Sequence, residues 1–305
     1  MAVTQFLDGV PCTVKEAFDF SFLRQWGRVF RAFDQQDSGN LCFGLEKDGR
    51  RYFLKFAGAR PICFDGEPGE AVRLLKKSAQ VYRDLAHPIL LPMLWDGPAA
   101  GGYALLFPWT DALCMGKQYP TRNDFLAMPL KQKLSVFQAA LDFHRYVAEK
   151  GYVSVDFYDG CVLYETETGR PLLCDVDAYH QAPFCNPIGR MWGSTRFMAP
   201  EEYCKGAPID EATMVYTWSL CFRIVFTSGK GSRFLALASG SLGVRKKSGL
   251  PSKGRPLLNF MFVFRCLGAS PKLGTLYNKM NNYLELLLFK RGMGCASKGS
   301  LAPPE

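Results

Sequence analysis

Residues 152–201 constrain this chain more than any other stretch, running from YVSVDFYDGCVLY through LLCDVDAY to GSTRFMAPEE. The pattern reads as a strand, a polar loop, a hairpin and a long loop that ends in Ala199, Pro200 and Glu201. Asp156 leads the first loop. Asp175 closes the second hairpin strand, behind the apolar run Leu172, Leu173 and Cys174. Two carboxylates at the ends of apolar segments, about twenty residues apart, can serve as one base and one metal ligand. Side chains alternate along a strand, so Asp175 and Asp177 fall on one face if the strand continues through them, and both then aim at one ion.

This stretch resembles the catalytic core of the protein kinases, in a divergent form of the bacterial serine/threonine type. The resemblance implies that Asp156 orients or deprotonates the acceptor hydroxyl, that Asp175 holds Mg²⁺ on the nucleotide, and that Ala199-Pro200-Glu201 closes the activation segment. Lys55, in YFLKFAG sixteen residues after Gly39, then holds the ATP phosphates. Gly39 is the surviving third glycine of a phosphate-covering turn, with Asp34 and Gln36 at the first two positions. In GYALLFPWTDAL, backbone groups of Phe107 to Trp109 would meet the adenine edge, although Pro108 has no N–H to offer. The implied fold is α+β and two-lobed, with a small antiparallel-sheet lobe over residues 25–109 and a mainly helical lobe over 110–227. A lead-in covers 1–24, and 228–305 is an atypical tail. The implied reaction transfers the ATP γ-phosphoryl group to a Ser or Thr hydroxyl of a protein substrate, with Mg²⁺.

Several family positions are replaced. The family's H-R-D reads Ser154-Val155-Asp156, its Asn metal ligand is Cys161, and the Gly of D-F-G is Asp177. A thiol is a poor Mg²⁺ ligand because this ion demands hard oxygens, so Asp177 or Asp159 is the candidate replacement. The Glu that would pair Lys55 falls on Ser78, and the Asp that would brace the catalytic loop falls on Met214. With Val155 before Asp156, a phosphate on Ser194 or Thr195 finds no cation at that position. Constitutive order of the segment, or no catalysis, is the expectation. Two other readings stay open: a pseudokinase that binds without chemistry, and a small-molecule phosphotransferase, against which GSTRFMAPEE argues.

The remaining elements follow from periodicity. VFRAF, NLCFGLE and RRYFLKFAG read as three strands punctuated by Asp-Ser-Gly-Asn and Lys-Asp-Gly turns, after an extended or loosely helical stretch over residues 1–20. Residues 68–86 and 130–150 read as amphipathic helices, the first ending before His87-Pro88 and the second at Gly151. His144 lies on the apolar face of the second and reads as a core histidine.

Composition narrows the class. The net charge of +9 is uneven: residues 228–305 hold 13 Lys and Arg but only two acids, Glu285 and Glu305, along with 11 Gly and nine Ser. The body is therefore near −2 and the tail near +11. The tail's charges form no helical stripe and have no aromatic platform, so no nucleic-acid partner is expected. No apolar run approaches a membrane span, no leader pattern opens the chain, and the 11 cysteines include no C-x-x-C pair. A cytoplasmic protein with reduced thiols is expected.

Overall fold

Alternation of apolar side chains builds the central sheet. The computed structural model describes residues 2–227, and the basic Gly/Ser-rich stretch 228–305 lies outside the described residues. Strands β3 (Arg28–Phe33), β4 (Asn40–Lys47), β5 (Arg50–Ala57), β6 (Trp95–Ala99) and β7 (Gly102–Pro108) pair in the order β3-β4-β5-β7-β6, every neighbour antiparallel. Leu41, Phe43, Leu45, Leu54, Phe56 and Leu106 point to one face and form a buried core. The period of two then turns Cys42, Phe53, Lys55, Leu105 and Phe107 to the opposite face.

The first core is closed by residues that the sequence pattern leaves loosely structured. Strands β1 (Val3–Leu7) and β2 (Val10–Val14) form an antiparallel hairpin about Asp8-Gly9, both with positive φ. Cys12 and Val14, with Phe20 just before a short 3₁₀ turn at Ser21–Gln25 and Leu23 within it, pack into the sheet core. The hairpin is tied on by polar contacts as well. Asp8 Oδ2 accepts from the Val29 N–H at 2.8 Å, and Asp34 Oδ2 from the Thr13 N–H at 2.7 Å.

Helix α1 (Pro68–Asp84) packs on the other face, and four helices in all are found among the described residues. Pro68 begins α1, and Ala71, Leu75, Ala79 and Tyr82 recur along its buried face. After β8 (Leu113–Cys114) come α2 (Arg122–Ala127) and α3 (Leu130–Glu149), which ends at Gly151 with φ +73°. Strand β9 (Tyr152–Val153) leads to the hairpin of β10 (Val162–Glu165) and β11 (Arg170–Leu173), whose β10 also pairs with β8. Strand β12 (His180–Gln181) returns to β9, β13 (Phe184–Cys185) pairs with β14 (Pro208–Ile209), and α4 (Glu211–Thr227) follows. Leu134, Phe137 and Leu141 of α3 join Met214 and Trp218 of α4 in the second core.

The fold is thus mixed α and β, with antiparallel sheets throughout the named ladders. No helix among the described residues is long and apolar enough to cross a membrane.

His144 shows how the second core fixes the loops above it. It is fully buried; its Nδ1 meets the Ala140 carbonyl and its Nε2 the Tyr179 hydroxyl, each at 2.8 Å, while the ring packs on Phe157 at 4.4 Å. Burial drives its pKa down to about 4, so it stays neutral. One side chain on α3 thereby braces both the loop after β9 and the loop after β11.

Candidate functional site

Three of the residues marked by sequence meet where the sheet faces the β10–β11 hairpin. Lys55 projects from β5 between Cys42 and Leu105, on the face opposite the Leu54–Phe56 core. Leu173 is bonded to the chain after α1, donating to the Ile89 carbonyl and accepting from the Leu91 N–H. That anchor carries Asp175 under the sheet. The Lys55 ammonium donates to Asp175 Oδ1 at 2.7 Å and to Asp177 Oδ2 at 2.9 Å. The two carboxylates therefore converge on one cation, Lys55, but not by strand alternation: β11 ends at Leu173, and Asp175 turns out of it with left-handed backbone.

Burial opposes every charge in this triad, and the charges offset it for one another. Burial pulls the Lys55 ammonium down, but Asp175 and Asp177 hold it well above its ordinary range. Burial likewise disfavours ionised Asp175, yet Lys55 and a hydrogen bond from Tyr158 keep its carboxyl below the usual range. Asp177 goes the other way: burial and the neighbouring Asp175 charge outweigh Lys55 and raise it.

The expected helix partner of Lys55 is replaced. Ser78 sits on α1, where its hydroxyl donates to the Leu74 carbonyl at 3.1 Å and approaches the Asp177 carbonyl at 3.2 Å. It positions the Asp177 backbone and leaves Lys55 to the two aspartates.

Asp156 follows β9 with φ +56°, and Asp175 has φ +62°. Left-handed backbone at a non-glycine residue costs about 1–3 kcal/mol and persists where neighbouring structure fixes it. Here the neighbour is the long loop. Ser194 N–H donates to Asp156 Oδ1 at 3.1 Å, and Gly193 approaches so closely that a Cβ there would lie 3.1 Å from the same oxygen. Burial, reinforced by the Asp175 charge, pushes the Asp156 carboxyl up to about 7.

Gly39 does not line an open turn. It is buried, with φ +81°, and a Cβ on it would meet Ala71 of α1 at 2.7 Å and the Phe64 ring at 3.0 Å. Its glycine is needed for that packing. Asp34, expected to face the phosphates, instead caps Thr13.

The backbone groups of Phe107 and Trp109, expected to meet an adenine edge, face β5. Trp109 N–H donates to the Arg51 carbonyl at 3.1 Å, and Phe107 stands opposite Phe53. By ladder alternation the backbone hydrogen-bonding groups of Phe107 turn into β5, as the Trp109 N–H does, and those of Pro108, the last residue of β7, turn away from it. The side chains pack: Phe107 on Tyr82 at 4.8 Å, and Trp109 against Phe30 at 4.8 Å, with Phe33 and Phe53 adjoining. Gly44 makes room for these rings, since a Cβ there would come within 2.7 Å of Phe30.

The donor set for a cation is small. Cys161 is fully buried, its thiol is held protonated by burial first and the Asp175 charge second, and it points toward the Asp156 and Asp175 carbonyls. Asp159 is also excluded as a ligand, because Arg122 and Arg196 occupy both of its oxygens. Among the described residues no three His, Cys, Asp or Glu side chains gather to hold a metal by themselves. Asp175 and Asp177 remain, and the buried Asp177 Oδ1 has no hydrogen-bond partner. Two hard carboxylates with one orphaned oxygen suit a single Mg²⁺ whose shell is completed by water and phosphate.

Sequence reasoning missed three contributors. Tyr158 donates to Asp175 Oδ2 at 3.1 Å. Thr213 donates to Glu201 Oε1 at 2.7 Å, supplying a partner for that glutamate from α4, and Thr217 donates to the Phe197 carbonyl at 3.1 Å. Asp210 caps the same helix through the Ala212 N–H at 2.8 Å, while Met214 is buried apolar surface. No residue pattern flags a lone threonine or tyrosine as a loop brace. No protein-family model matches this chain, and no curated protein is significantly similar to it.

Proposed function

We propose that this chain has a protein-kinase-like two-lobed fold, the sheet with α1 forming the small lobe, and that it transfers the γ-phosphoryl group of ATP to a Ser or Thr hydroxyl of a protein. The observation that carries this reading is the Lys55–Asp175 ion pair. It joins residues 120 positions apart, one from the sheet and one from the hairpin end, beside Asp156. In this reading Lys55 holds phosphate oxygens, and the Pro108 carbonyl, which turns away from β5, meets the base edge. Asp175 and Asp177 hold Mg²⁺, which neutralises phosphate charge when bound. Asp156 accepts the acceptor hydroxyl proton as the new O–P bond forms and ADP departs. A carboxylate near pH 7 suits that task, since a base works best when its pKa is close to the operating pH.

The pH profile follows with a definite sign. Asp156 must be ionised to act, so kcat is expected to rise with pH and reach half its maximum near 7. Steady-state transfer from labelled ATP to a generic Ser/Thr substrate, measured from about pH 5 to 9, tests this. A flat profile across that range would remove Asp156 from the role.

A second reading, a kinase-shaped module that binds without transfer, is favoured by one set of contacts. Both Asp175 oxygens are already satisfied, by Lys55 and Tyr158, and a protonated thiol stands at Cys161. Nucleotide binding without transfer would select it.

A further inference from the structure

We infer that Asp159 is a positioning residue: through Arg196 and Arg122 it clamps the 193–197 segment over Asp156 without any phosphate. The inference deepens the reading above by naming how the same site is regulated, and its catalytic arm rests on that reading.

The side chain of Asp159 has 0 % exposure. Arg196 grips it with two parallel bonds, Nη1 to Oδ2 at 3.0 Å and Nη2 to Oδ1 at 2.9 Å, and Arg122 adds a third from Nη1 to Oδ2 at 3.0 Å. Arg122 is itself bonded to the Met115 carbonyl, and the Arg196 guanidinium lies 4.9 Å over the Phe197 ring. A bidentate guanidinium–carboxylate pair fixes orientation as well as distance. Two residues before Arg196, Ser194 N–H bonds Asp156, and three residues before Asp159 is Asp156 itself. The two loops are therefore stapled twice, side by side, and one staple is the candidate base.

The polarity of this clamp sets the sign of regulation. The acid belongs to the loop that carries Asp156, and the cation belongs to the segment. Val155 is buried in the apolar core, so no cation stands beside Asp156 at that position to receive a phosphate. A phosphate on Ser194 or Thr195 would place negative charge near two carboxylates and compete with Asp159 for Arg196. Phosphorylation then loosens the segment instead of ordering it.

Arg196→Gln is the variant of choice. Its side chain is 40 % exposed, and Asp159 keeps Arg122 after the change, so no buried charge is left alone. Amide hydrogen exchange is measured on the full-length chain, before and after phosphatase treatment. The expected result is that phosphatase changes nothing in wild type, that exchange across 193–198 rises on the order of ten-fold in Arg196→Gln, and that α3 keeps its protection. Arg196→Lys, which retains charge but loses the second bond, is expected to lie between. In the transfer assay Arg196→Gln is expected to lower kcat while leaving KM for ATP unchanged. Equal exchange in Arg196→Gln and wild type, or wild-type protection that disappears with phosphatase, would overturn the clamp. A wild type that transfers nothing counts against the proposed reaction alone, and the exchange result still decides the clamp.

Discussion

Asp156→Ala is expected to leave Mg²⁺-dependent ATP binding intact and to lower phosphoryl transfer by about 10²–10⁴-fold, the usual worth of a positioned base. Asp175→Ala is expected to abolish both. The separation comes from what each carboxylate touches. Asp156 accepts from the Ser194 N–H, and among the described residues no hydrogen bond joins it to Lys55, so in the proposed reading its loss removes the proton acceptor and leaves the phosphate grip. Asp175 is bonded to Lys55 and Tyr158 and adjoins the orphaned oxygen of Asp177. In the same reading, removing it takes away the main hard-oxygen ligand and lets Lys55 swing wholly to Asp177. Calorimetry with ATP and Mg²⁺, paired with transfer from labelled ATP, separates the two variants. Equal loss of binding in both would mean that Asp156 is a structural acid and no base.

Lys55→Met is expected to cost about 3 kcal/mol of stability at neutral pH. Removing one partner of a buried charge network strands the others, and partial exposure of the aspartates trims the penalty. The pH dependence has two sides. The raised pKa of Lys55 contributes stability that is complete below its unfolded value and is lost as pH rises through the higher folded value. The lowered pKa of Asp175 contributes stability present above its unfolded value and lost as pH falls. The raised pKa of Asp177 works against the latter, contributing more at acid pH. The gap between wild type and Lys55→Met should therefore be widest between about pH 5 and 9 and narrow as the carboxylates protonate. Urea unfolding at pH 4 and pH 7 measures it, with Lys55→Arg as the charge-retaining control. An equal gap at both pH values would show that the ion pairs contribute nothing.

The ladder β3-β4-β5, the two amphipathic helices and the core role of His144 were legible because each depends on period and turn chemistry alone. The convergence of Lys55 and Asp175 was visible only through resemblance, since 120 residues separate them. The N-terminal hairpin was less legible although Asp8-Gly9 is a strong turn signal. Phe6 is 72 % exposed and Cys12 is buried, so the apolar pattern runs against hydropathy until the sheet is present to be covered. That Phe107 and Trp109 turn backbone groups into β5 needed the register with that strand, which no single strand encodes. Asp159 was picked out as a candidate metal ligand, and its pairing with Arg122 and Arg196 was hidden for a simpler reason. A buried carboxylate and a solvated one look alike in sequence, and its two arginines each lie 37 residues away.

The central claim is that Lys55, Asp175 and Asp177 form a site for metal-bound nucleotide. A thermal-shift titration of the wild-type chain with ATP, with and without Mg²⁺, tests it most directly. Anything that binds the folded state stabilises it, by about 2.7 kcal/mol at a hundred times its Kd. The expected result is a melting temperature that rises with millimolar ATP and Mg²⁺ together, rises less with ATP alone, and does not rise in Asp175→Ala. No shift with ATP in the presence of Mg²⁺ or Mn²⁺ would contradict the claim.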